Sequence, residues 1–166
     1  MTTNPDPFQI IRSTLERHSN EAIVRKYSRY FREGYDAYGI DQQTFDKLRD
    51  GWMLDWKGKM GLSDYLQLGD RLIASGKYEE ASCAVVFLEP FRKEFTIDHF
   101  HRIGDWLEKY VVNWAHTDII CSRLLPCFLS DGIVTPNDFI PWIDSPSKWK
   151  RRAIPVSFIS DRKSVV

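Results

Sequence analysis

Apolar side chains recur three and four positions apart along almost the whole chain, while the every-second-residue alternation of a half-buried strand is scarcely present. That spacing lays one apolar stripe along each of a series of helices, so stripe must be buried against stripe and the fold is expected to be all-α. Capping residues mark the starts: Asp41 before QQTFDKLRDGW, Thr96 before IDHFHRIGDWLEKYV, Thr135 with Pro136 before NDFIPWI, and Ser145 with Pro146 before SKWKRRAI. Gly34, Gly76 and Gly132 mark ends. The pattern predicts helices near 6–18, 20–33, 42–56, 62–75, 78–93, 97–111, 113–130, 136–143 and 146–159. Links of a few residues make consecutive helices antiparallel neighbours, which suits either a compact bundle or a right-handed stack of helix pairs. Sequence repetition is too weak to choose between them. A stack matters functionally because it curves, and its concave side presents side chains from successive helices to one long ligand. Nothing in the composition divides the chain, so 1–166 reads as a single helical-repeat domain with 159–166 as a frayed tail.

With 166 residues, 43% hydrophobic and 28% charged, there is enough apolar material for a core, and a disordered chain is excluded. No apolar run approaches the roughly 18 residues of a membrane span, and MTTNPDPFQII lacks the basic-then-apolar order of a secretory signal, so the expected address is cytoplasmic. Cys83, Cys121 and Cys127 are odd in number and lack metal-site spacing, which reads as reduced, buried thiols. His99 and His101 stand two apart and point about 200° away from each other on a helix, so no metal is expected. Net charge is zero, yet from Ser145 onward Lys148, Lys150, Arg151, Arg152, Arg162 and Lys163 face a single acid, Asp161. This end is locally positive, as a solvated helix face or as a surface for phosphates.

Within VVNWAHTDII, Trp114 and Asp118 lie one turn apart on the same helix face, a row that Cys121 and Leu125 continue. The core stripe is better drawn through Ile120, Leu124, Cys127 and Phe128, about 100° around the helix. Trp114 and Asp118 therefore flank the core, either as a packing aromatic beside a solvated acid or as a functional pair. In SPSKWKRRAI, Trp149 and Ala153 form an apolar pair with Arg152 on its flank. An arginine so placed can take a carboxylate or phosphate in a two-pronged grip, with Lys148, Lys150 and Arg151 supplying looser phosphate contacts. The remaining tryptophans read mostly as core anchors.

Three separated segments together resemble the DNA alkylation repair family, alkylpurine DNA glycosylases built from HEAT-like helical repeats. RYFREGYDAYGI (29–40) is similar to its first signature, NWAHTD (113–118) to its Trp-x-x-x-Asp motif, and WIDSPSKWKRRAI (142–154) to its Trp-Ile-x-Ser…Trp-x-x-Arg-Ala helix. The resemblance spans about 8–158, short of the family's usual length at the C-terminal end. It implies a HEAT-like α-solenoid with a concave face, and excision of positively charged N-alkylated purines, of the 3-methyladenine and 7-methylguanine type, from duplex DNA without a cofactor. Carried over by residue, it makes Asp118 the catalytic carboxylate, Trp114 an aromatic wall, Arg152 a grip on the DNA backbone beside the lesion, and Tyr30 an aromatic facing the DNA. Lys148, Lys150 and Arg151 would supply further phosphate contacts. Ala115 stands where some members carry an acid, Pro155 interrupts a helix the family continues, and a second aromatic wall from a later helix has no position here. The alternative is a non-catalytic helical-repeat scaffold binding DNA or protein, whose open last repeat would seek a partner or a second copy.

Overall fold

The computed structural model describes residues 6–161. The fold is all-α, with no strand among the described residues. The chain forms two compact units, one ending at Phe87 and one beginning at Leu88. In the first, α1 (Pro7–Arg17), α2 (Glu21–Ser28), α3 (Gln42–Asp55), α4 (Leu62–Ala74) and α5 (Tyr78–Val86) follow in order. The second holds a 3₁₀ segment (Glu89–Glu94), α6 (Ile97–Lys109), α7 (Trp114–Arg123), α8 (Leu125–Ser130), a second 3₁₀ segment (Pro136–Asp144) and α9 (Lys148–Asp161). None of these helices is long and apolar enough to cross a membrane.

Several departures of the helices from the sequence expectation come from proline or a side-chain cap. The helix expected over 78–93 stops at Val86 and continues as 3₁₀ around Pro90, which cannot donate an i→i−4 bond. That expected over 113–130 breaks at Leu124, just before Pro126. Pro136 and Pro141 hold 136–144 in the 3₁₀ form. α9 starts two residues later than expected, because Ser147 Oγ accepts the N–H groups of Trp149 (3.2 Å) and Lys150 (3.3 Å). Pro155 does not interrupt α9: the helix runs on to Asp161, with the proline exposed to solvent. The part of the expected frayed tail from 162, including Arg162 and Lys163, lies outside the described residues.

In the first unit, α1 packs against α4 and α5, and Ile11 and Leu15 of α1, Leu66, Leu72 and Ile73 of α4 and Cys83, Ala84 and Val85 of α5 are all buried. Trp52, Trp56 and Tyr65 surround the ring of Phe87. Beside this core lie two adjacent buried carboxylates. Glu79 accepts the backbone N–H groups of Tyr38 (2.9 Å), Gly39 (2.8 Å) and Ile40 (3.1 Å). Glu80 accepts two bonds from Arg12 (3.0 and 3.1 Å) and one from the Tyr38 hydroxyl (2.7 Å). The loop before α3 is thus clamped by α5, and its Tyr-Gly-Ile sequence is a docking element rather than a chemical one. Gly39 sits at φ +80°, where a Cβ would lie 2.3 Å from Asn20 O and 2.8 Å from Val24 Cγ2. Gly39→Ala is expected to cost more than about 2 kcal/mol, from left-handed strain plus a backbone clash, read as a lower urea midpoint with unchanged slope.

In the second unit, Phe100, Ile103, Trp106 and Leu107 of α6 pack with Phe128, Phe139 and Trp142, all at or near zero exposure. Phe95 stacks on Phe128 at 4.8 Å, and Phe100 on Trp142 at 4.9 Å. Gly104 lets the Trp142 indole lie against α6, since a Cβ there would meet its ring at 3.0 Å. This packing sets the ledge from which α9 departs.

Candidate active site

α7 and α9 pack through small side chains. Thr117 and Cys121 on α7 and Ala153 and Ser157 on α9 are all fully buried, and Cys121 Sγ lies 3.5 Å from the Ala153 carbonyl it donates to. Small residues let the two backbones approach closely, which brings the charged side chains at the margin of the contact within reach of each other. There Arg152 donates from Nε to Asp118 Oδ1 and from Nη2 to Asp118 Oδ2, both at 3.0 Å. The two side chains keep 43% and 34% of their exposure, so the pair sits at the surface. The Asp118 carboxylate raises the guanidinium's pKa, chiefly through this hydrogen bond. Two N–H groups are spent on Asp118; a guanidinium carries five, so three remain for another acceptor.

Trp114 opens α7 one turn before Asp118. Of the six tryptophans it alone is exposed, at 41%, while Trp52, Trp106 and Trp142 are buried and Trp56 and Trp149 half-buried. The row does not stay at the surface: Cys121 and Leu125 are fully buried, because α9 covers the next turn and the break at Leu124 turns α8 inward. Cys127, expected in the core stripe with Ile120, Leu124 and Phe128, is only half-buried, whereas those three are fully buried. Burial pushes the Cys121 thiol up to about 12, so it is a packing group rather than a nucleophile.

The basic stretch divides by role. Lys150 Nζ pairs with Glu108 (3.0 Å) and lies over the Trp142 ring, with 13% of its side chain exposed; it holds the start of α9 to the end of α6. Ser145 Oγ donates to the same carboxylate (2.8 Å) and Ser147 Oγ to the Leu107 carbonyl (2.9 Å). The Lys150 bond, then that of Ser145, keeps the Glu108 carboxyl below its ordinary pKa. Arg151 is exposed but donates from Nη1 to the Ser145 carbonyl. Lys148 is exposed, 4.5 Å above the Trp149 ring. Tyr30, in the first unit, is 53% exposed, its hydroxyl accepting from Arg29 (2.9 Å), whose guanidinium lies over the ring. His99 caps α6, accepting the Thr96 N–H at 3.0 Å.

Sequence reasoning missed the groups that support this site: Glu108, Ser147, and the buried Asn113 and His116 at the start of α7. A helix-capping pattern marks Asn113 and Ser147, but the partners of Glu108 and His116 depend on tertiary contacts or on a ring orientation that spacing does not encode.

No curated protein matches the sequence. A family model described as DNA alkylation repair enzyme matches residues 11–163, a stretch that contains Asp118, Arg152, Trp114 and all three signature-like segments. The chain belongs to the DNA alkylation repair enzyme family.

Proposed function

We propose that the protein is a monofunctional DNA glycosylase that releases cationic alkylpurines, such as 3-methyladenine and 7-methylguanine, from duplex DNA. The observation that carries this reading is a half-buried carboxylate at the surface, Asp118, fixed by a two-pronged arginine beside the one exposed tryptophan. A purine alkylated on a ring nitrogen already bears positive charge. Its glycosidic bond breaks with both electrons leaving on the base, which departs neutral and needs no strong general acid. Positive charge then develops on the deoxyribose, where an oriented anion stabilises it and can direct a water to C1′; the proton released by that water passes to solvent. The face of the Trp114 ring attracts the cationic base.

Arg152 is the group that joins this chemistry to the backbone, because its remaining donors reach a phosphate while Nε and Nη2 keep Asp118 in place. Lys148 and Arg151 add phosphate contacts, and Lys150 acts by holding α9. Tyr30 belongs to a second exposed stretch with Arg25, Lys26, Arg29 and Arg32, cations suited to the DNA backbone. Each phosphate contact should lower the log of affinity by about 0.9 per log unit of salt.

The test is selectivity by charge. Incubated with duplexes carrying 7-methylguanine, hypoxanthine or uracil, the protein is expected to free only 7-methylguanine, detected by chromatography, and to leave an intact strand with an abasic site. No release of 7-methylguanine, or equal release of the uncharged bases, would overturn the reading.

A further inference from the structure

We infer that Asn113 and His116 are positioning residues, a buried amide–imidazole lock that fixes the first turn of α7 and with it Trp114 and Asp118. The inference rests on the reading of that pair as the reacting site. Asn113 and His116 are 5% and 3% exposed, and Thr117 between them and Asp118 is fully buried. Asn113 caps α7: its Oδ1 accepts the backbone N–H of His116 at 2.9 Å. A backbone N–H only donates, so the orientation of the amide is settled by that bond. Its Nδ2 therefore faces His116 Nδ1, at 2.9 Å. An amide N–H likewise only donates, so Nδ1 carries the lone pair and the proton of the neutral ring sits on Nε2. The Asn113 carbonyl meanwhile accepts from Thr117 Oγ1 at 3.0 Å.

One buried residue immediately before Trp114 is thus tied to residues 116 and 117, on either side of the backbone that leads to Asp118. Serine or aspartate would satisfy the helix end equally well. What asparagine adds is the donor to the ring, and what histidine adds is an acceptor two bonds beyond Cβ. Misplacing reacting groups by about an ångström can cost up to a hundredfold in rate, so a lock at this position has leverage without touching substrate.

The experiment compares two substitutions of similar size in the full chain. Asn at 116 puts an acceptor oxygen where Nδ1 was, whereas Leu leaves the Asn113 amide facing a methyl group. His116→Asn is expected to stay within about threefold of wild type in single-turnover release of 7-methylguanine, and His116→Leu to fall roughly tenfold with DNA affinity unchanged. The ¹⁵N shifts of the wild-type ring should show Nδ1 bare and Nε2 protonated, which needs no variant to fold. The indole N–H cross-peak of Trp114 should move in His116→Leu and stay in His116→Asn. Equal rates for the two variants, an indole signal that stays in both, or a protonated Nδ1 would overturn the inference. If the wild-type protein releases no base, the glycosylase reading fails by itself, and the ring and indole signals still decide the lock.

Discussion

Glu79→Ala is expected to remove on the order of 3–5 kcal/mol from the stability of the first unit, because it leaves several buried backbone N–H groups without their acceptor. Three backbone N–H groups, those of Tyr38, Gly39 and Ile40, converge on this carboxylate, which is 4% exposed. A buried N–H without an acceptor costs about 1–3 kcal/mol, and a domain has only about 5–15 kcal/mol in total, so the clamped loop is expected to detach or the unit to melt. Urea unfolding followed by circular dichroism should show a midpoint far below wild type. Glu80→Gln is expected to cost less, because Arg12 keeps 35% of its side-chain exposure and can turn to water.

Glu80 also makes the unit sensitive to acid. Burial works to raise its pKa, but the hydrogen bonds from Arg12, with that from Tyr38, outweigh it and hold the carboxyl below its ordinary value of 4.5. A group whose folded value is depressed stabilises the fold above its unfolded value, and that contribution is lost as pH falls through the folded value. The melting temperature is therefore expected to be flat near neutrality and to drop below about pH 4.5, with Glu80→Gln removing part of the slope.

Much of this fold is visible in the chain, because helical spacing, an N-cap and a stop glycine are local signals. Asp41 caps α3 and Thr96 caps α6 as read, and Gly76 turns the chain at φ +77°. What stays hidden is whatever a proline or a distant carboxylate decides. The helix expected over 20–33 ends at Ser28 because α5, some fifty residues on, claims the following loop. The pairing of Asp118 with Arg152 is of the same kind: each position alone reads as an ordinary surface charge, and only the contact of Cys121 with Ala153 brings them to 3.0 Å. Lys150 looks like one more phosphate ligand in KWKRR until Glu108, far away in sequence, is seen to hold it.

The same geometry separates structure from catalysis at residue 118. A solvent-exposed ion pair contributes about 0–1 kcal/mol to folding, so Asp118→Asn should barely move the melting temperature. Removing a preorganised electrostatic group from a reacting centre costs about 2.7–4 kcal/mol, a factor of about a hundred to a thousand in rate. Asparagine keeps the size of the side chain and one acceptor for Arg152, so the positions of α7 and α9 should persist while the charge that faces the sugar cation is gone. Arg152, freed from its anion, stays available to the backbone, and DNA affinity is expected to hold or rise slightly.

The decisive measurement is single-turnover release of 7-methylguanine from a duplex by wild-type protein and by Asp118→Asn, at protein concentrations that saturate the DNA in both. The expected result is release by the wild type, slowed at least about a hundredfold in the variant at equal occupancy. Equal rates would contradict it.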